Sequence, residues 1–373
     1  MKQILLFIAI LFSSTLFAQD CTEDLIFQKP GFWKDVSGSE SGIAAADLVR
    51  EKKVVAAIHT MITSKYSPMS AKLNFGGAYS RPYPSMPANS YNYHIREFNF
   101  YCDGNTMKTE EEVDKTYIIS ANGLDAEIYD TAEGDRLLGD GFNVINDMPI
   151  EKDGYWYFKE IDGELNRLAW LITYDGKLPY AYVTKKEFLE KRKLALSNLM
   201  NVSAAGLKDH LKSIEVEKGF KESEYKNDPE KLKKYMQMDY LPSKERYEKF
   251  LSDNENDYKP AFDKIEAQLQ MTPEELNKQA IVKKDPNDPL SYLFLDSKDG
   301  SGDILIKPNP DYFNKKLPRS SPQFFWVEVK WNPNDPISIK FKEGIMKAID
   351  FAALKNMLGK SEIENKININ QSK

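Results

Sequence analysis

The residue types best able to do chemistry in this chain are carboxylates, and their spacing does not single out a pair. A glycosidase-like hydrolase needs two carboxyl groups about 5 to 9.5 Å apart, one as acid and one as base or nucleophile. With 57 Asp and Glu residues, position along the chain cannot choose them. The tightest local group, Asp130, Glu133 and Asp135, sits in a turn-like, water-accessible context. Other chemistries are poorly served. Gly38-Ser39-Glu40-Ser41-Gly42 places Glu40 where a nucleophile elbow requires a serine. No glycine-rich loop ends in Lys-Ser or Lys-Thr to cradle a phosphate. His59, His94 and His210 are far apart and form no i, i+4 pair, so a zinc site is not expected. Asp296 to Asp303 resembles a calcium loop only loosely, because Lys298 and Gly300 stand where the third and fifth positions need ligands. No metal and no cofactor are expected.

Aromatic side chains offer the alternative to catalysis, which is binding. Tyr155, Trp156, Tyr157 and Phe158 follow one another, and half of such a run on a strand points away from the core. These four are the candidate binding residues, with sugars or peptides as stacking partners. Tyr83 and Phe324-Phe325-Trp326 are further aromatic surfaces. Aromatics also favour strands for packing reasons alone.

The elements that must position these residues are legible from periodicity. Val54, Val55, Ile58, Met61 and Ile62 share one face of a helix over about 44–64. Four prolines within 65–88 predict mostly loop. From Tyr91 to Tyr174 alternating runs are separated by turn signals, among them Asp103-Gly104, Asp153-Gly154, Asp162-Gly163 and Asp175-Gly176, which predicts antiparallel sheet. Thr184-Lys185-Lys186-Glu187 is a capping box that starts a long, charged helical region to about 280. Breaks are expected near Asp228-Pro229, Leu241-Pro242 and Lys259-Pro260. Thr272-Pro273-Glu274-Glu275 starts another helix. Strands return at 291–295, 303–307, 323–330 and 337–341, before a last helix at 344–358. Pro286-Asn287-Asp288-Pro289-Leu290-Ser291 and Pro333-Asn334-Asp335-Pro336-Ile337-Ser338 are near-repeats, each expected to lead into a strand. The fold class is therefore α+β. Its parts are an N-terminal helix-plus-sheet domain (19–183), a helical region (184–280), a C-terminal strand-helix unit (281–359) and a polar tail (360–373).

The N-terminus carries Lys2 before the apolar run Ile4 to Phe12, then small polar residues and Ala18. That order is a secretory signal peptide over residues 1–18, and the run is too short for a membrane anchor of about 20 apolar residues. Cys21 follows Gln19 and Asp20, which do not suit lipid modification, so it is expected to be an ordinary residue of the mature chain. In an oxidising compartment Cys21 and Cys102, the two cysteines of the chain, are a candidate disulfide. Closing so long a loop stabilises by about 4 kcal/mol in the chain-entropy model. The net charge of -6 gives no reason to expect nucleic acid as a partner, and no transmembrane segment is expected.

The segment Leu178-Pro179-Tyr180-Ala181-Tyr182-Val183-Thr184-Lys185-Lys186-Glu187-Phe188-Leu189 resembles uncharacterised secreted bacterial proteins in which a Leu-Pro strand enters a Thr-x-x-Glu helix start. The resemblance implies export and a strand-to-helix junction, and no activity. The resulting expectation is an exported envelope or secreted protein that binds a protein or glycan without catalysis. A hydrolase using dispersed carboxylates is the alternative.

Overall fold

A computed structural model describes residues 20–362, apart from 37, 81–86, 113–114, 125–128, 131–141, 146–147, 162, 175, 289 and 297–301. The leader, Glu133, Asp135 and most of the calcium-like loop thus lie outside the described residues. The chain is α+β and divides into two compact units, one of residues 1–125, 148–179 and 308–373, the other of residues 126–147 and 180–307. The residues expected to form a C-terminal unit are shared between these two.

The first unit is built on a ten-stranded sheet. Its strands, numbered in chain order with those of the second unit, are β1 (Phe32–Asp35), β2 (Ser39–Ser41), β3 (Ala71–Ser80), β4 (Tyr91–Asp103), β5 (Thr106–Thr109), β6 (Thr116–Ala121), β9 (Ile150–Lys152), β10 (Tyr155–Ile161), β11 (Asn166–Ile172) and β16 (Phe325–Trp331). The order is β1-β3-β4-β6-β16-β11-β10-β9, with β2 on β3 and β5 on β4. Pairing is antiparallel except for β1 and β2, which run parallel to β3. The close approach of β1 needs Gly31, where a Cβ would lie 2.2 Å from the Ala71 carbonyl oxygen. The last strand, β16, fills a central place between β6 and β11.

Helices α1 (Glu23–Gln28), α2 (Ala45–Thr63), α7 (Pro336–Ala348) and α8 (Phe351–Met357) complete this unit. Of the helical stripe expected at Val54, Val55, Ile58, Met61 and Ile62, all but the partly buried Met61 are buried, together with Phe341, Ile345 and Leu354, against Leu73, Tyr93, Ile95, Tyr117, Val327 and Val329. Each such side chain contributes about 1.5–3 kcal/mol of burial. Cys21 and Cys102 stand at disulfide distance, with 5.6 Å between their Cα atoms, and tie the segment before α1 to the end of β4.

Two expectations are corrected here. The proline-rich stretch is not one continuous loop, because Ala71–Ser80 within it is the ten-residue β3, with Pro68 before it and the other prolines after it. Residues 337–341 are not a strand. Asp335 caps α7 by accepting from the backbone N–H of Ile337 at 2.9 Å, and Ser338, Phe341, Ile345 and Ala348 form its buried face.

The second unit has a six-stranded sheet of β7 (Tyr129–Asp130), β8 (Asn143–Ile145), β12 (Tyr180–Tyr182), β13 (Ile281–Lys284), β14 (Tyr292–Phe294) and β15 (Asp303–Pro308). Its order is β14-β13-β15-β8-β7, with β12 on β15. Helices α3 (Lys185–Glu224), α4 (Pro229–Tyr235), α5 (Leu241–Gln268) and α6 (Pro273–Leu276) supply the rest, α4 and α5 being joined by a π-helical turn (Met236–Tyr240). The capping box forms as expected: Thr184 Oγ1 accepts from Glu187 N at 3.2 Å, and Glu187 Oε2 accepts from Thr184 N at 3.0 Å. The break at Asp228-Pro229 is present, but Pro260 is absorbed inside α5 without one. Among the described residues, no helix is long and apolar enough to cross a membrane.

Candidate functional site

Helices α3 and α5 form an antiparallel hairpin of which only one end is anchored. Phe188, Leu189 and Leu196 of α3 and Ala261 and Ile265 of α5 pack with Val144, Val183, Val282, Tyr292 and Leu305 of the small sheet. Arg192, also buried there, donates to the Leu290 carbonyl at 2.6 Å and lies 5.2 Å over the Tyr292 ring. Beyond Leu196 no residue of α3 is buried. At 1.5 Å per residue, the remainder to Glu224 extends about 42 Å. Polar contacts hold the two helices together along this length. Asn254 Nδ2 donates to the Met200 carbonyl at 3.2 Å, His210 stacks on Tyr247 at 5.0 Å, and Lys244 donates to Glu215 at 2.8 Å. Pairs such as Lys218–Glu222 and Lys259–Asp263 add i, i+4 support.

The far end of the hairpin carries a cleft of about 640 Å³. Its construction follows from the π-helical turn. In an α-helix, residues five apart point about 140° away from each other. The extra residue per turn reduces that separation, so Tyr235 and Tyr240 both turn inward, at 9% and 5% exposure. Tyr240 donates to Glu215 at 2.8 Å, and the hydrogen bond from Lys244, with that from Tyr240, holds the Glu215 carboxyl below its usual range. Burial, with Glu217 and Asp239 nearby, raises the Tyr235 phenol. Around these rings stand Lys221, Tyr225, Lys231, Lys234 and Met238. Lys221 pairs with Glu224 at 2.7 Å and Lys231 with Asp228 at 3.1 Å. The walls therefore present both signs of charge, tyrosine rings and an exposed thioether (Met238, 65% exposed), and Phe220 stands out on the same end of the hairpin at 71%. Such a surface suits polypeptide better than a small ion of one sign, since aromatic and Met side chains are enriched where proteins meet.

The residues singled out from the sequence are placed differently. Phe158 is buried and packs on Trp326 at 5.0 Å. Tyr155 meets Phe351 at 5.3 Å, Tyr157 meets Trp170 at 5.9 Å, and Trp156 is half-buried, so the four do not form one exposed ladder. Asp130 falls on β7. Glu40 pairs with Lys52 at 2.5 Å. His59 and His94 lie on α2 and β4 of the first unit, while His210 belongs to the hairpin. Among the described residues, no three His, Cys, Asp or Glu side chains are grouped to hold a metal ion.

One convergence of carboxylates went unforeseen. Glu97 on β4, Glu110 and Asp335 surround the buried Lys115. Glu97 is wholly buried and beyond a substrate's reach. Burial raises its carboxyl to about 8, with Lys115 opposing. The carboxylate cluster had no sequence signature, since it joins residues scattered along the chain, and the cleft, although lined wholly by residues 214–243, depends on a π-helical turn that no motif marks. No family model, curated protein or solved structure matches the chain.

Proposed function

We propose that this chain is an exported, non-enzymatic protein that binds a polypeptide partner through the far end of its α3–α5 hairpin. The observation that carries this reading is the unbroken stretch of α3 after Leu196 with no buried residue, which nevertheless keeps Val202, Val216 and Phe220 exposed. Where exposed apolar side chains gather, as Met238 does beside Tyr225 and Tyr235 in the cleft with Phe220 at the same end of the hairpin, they support an interaction surface. The leader-like N-terminus and the Cys21–Cys102 pair support export. The burial of Glu97 weighs against the hydrolase alternative, because this carboxyl, raised to about 8 by burial as a catalytic acid would be, is closed to substrate.

A photo-crosslinking amino acid placed at Glu217 in the cleft, or at Lys347 on α7 as control, tests the reading. Crosslinks in the exported fraction to one polypeptide from position 217 and none from 347 are expected. Crosslinks from 347 alone would overturn it.

A further inference from the structure

The charges buried where α7 meets the larger sheet do not balance. Glu97 Oε2 accepts from Ser338 Oγ at 3.1 Å, while its Oε1 has no hydrogen-bond partner within the protein. The cation of the cluster, Lys115, is 5% exposed. It donates to Glu110 at 2.9 Å and lies 3.7 Å from Asp335 Oδ2. Asn99, two residues along β4 from Glu97, donates through its side chain to Asp335 and through its backbone N–H to Glu110 at 2.9 Å. The titratable groups facing Glu97 are thus Lys115 before β6, Glu110 after β5, Asp335 at the cap of α7, Tyr117 on β6 and Tyr66 after α2. One ammonium serves three carboxyl groups. The two carboxyls within 4 Å of the Lys115 ammonium are also the partly exposed ones, whereas Glu97 has neither solvent nor a cation to itself. A buried charge without its own partner is expelled or neutralised.

We propose that Glu97 keeps its proton in the folded chain near neutral pH, and that losing it as pH rises loosens the first turn of α7 from the sheet. Both α7 groups in the cluster would feel the new charge. Asp335 would face a second carboxylate across Lys115, and the Ser338 hydroxyl would be held by an anion with nowhere to hydrate. Burial sets the carboxyl at about 8, above its ordinary value of 4.5. A group whose folded value is raised contributes stability that is complete below the unfolded value and is lost as pH climbs through the folded one. The window is therefore pH 4.5 to about 8. Lys115, whose ammonium is favoured by Glu110, Glu97 and Asp335 although burial opposes it, stays charged throughout. The inference concerns the first unit alone and is independent of the hairpin reading.

Amide hydrogen exchange over Pro336–Ala348, corrected for the intrinsic pH dependence of exchange, tests it on the intact chain. In the wild type, opening of the first turn should increase by up to about tenfold per pH unit across that window and then level off. In Glu97→Gln it should be flat. Flat protection in the wild type, or a slope that survives in Glu97→Gln, overturns the proposal. If the variant does not fold, the infrared carbonyl band of a protonated buried acid decides the matter in the wild type and in Glu110→Gln. Its presence at pH 6 in both supports the proposal, and its absence at pH 6 from the wild type overturns it.

Discussion

The imidazole of His59 lies flat on the ring of Phe75, with 3.7 Å between centroids and 13° between planes. Its Nδ1 is 3.0 Å from the Tyr93 hydroxyl, and Trp33 meets it edge-on at 5.5 Å. Burial lowers its pKa from 6.5, with Asp35 opposing. A histidine that stays neutral in the fold contributes stability that is complete above 6.5 and is lost as pH falls through its lowered folded value. Below pH 6.5 the urea midpoint of the wild type should therefore fall relative to that of His59→Phe, a comparison in which the opposite pH dependence of Glu97 cancels. At pH 7.5 the same variant should lose about 1 kcal/mol with the Tyr93 hydrogen bond. Equal acid sensitivity in both proteins would remove His59 as the cause.

The Cys21–Cys102 bond closes a loop of 81 residues. Replacing both cysteines with serine should cost about 4 kcal/mol in the chain-entropy model. The loss reads out as a lower denaturant midpoint, and reductant should reproduce it in the wild type without affecting the variant.

Partner binding and folding should separate along the hairpin. Phe220→Glu and Met238→Glu change side chains at 71% and 65% exposure, so stability should stay within about 0.5 kcal/mol while crosslinking from position 217 disappears. Leu196→Ala, in the anchored end, should do the opposite, costing 2–5 kcal/mol or so, roughly the range for such truncations. A Phe220→Glu chain that unfolds would show the arm to be structural.

Thr184→Ala removes one side of the capping box and should cost about 1 kcal/mol. Lys307 also contacts Glu187, so Glu187→Gln should be destabilising as well. Thermal melts of the two single variants and the double variant measure how far the two effects overlap.

Local signals in the sequence carried well where local physics decides. The Asp153-Gly154 turn forms between β9 and β10, with both residues at positive φ as a type I′ hairpin demands. The Thr184 box and the Val54–Ile62 stripe need only neighbours in the chain. Where tertiary packing decides, the reading failed. Ile337, Ile339 and Phe341 alternate like a strand, yet Phe341 and Ile345 face the core at helical spacing. The stronger signal was present in Asp335-Pro336, a cap followed by proline at the first helical position. The two Pro-Asn-Asp-Pro repeats illustrate the limit. Asp288 and Asp335 both accept from the N–H two residues on, at 3.0 and 2.9 Å. One leads to β14 and the other to α7. The clustering of Glu97, Glu110, Lys115 and Asp335 depends on β4 and the α7 cap meeting across more than 200 residues, which no spacing rule encodes.

The central place of β16 bears on timing. With β6 and β11 separated until residues 325–331 arrive between them, the larger sheet cannot close while the C-terminal fifth of the chain is missing. A polypeptide threaded unfolded through a membrane would then complete its larger sheet only once nearly all of it has crossed, whereas the second unit, whose residues end at 307, has no such wait.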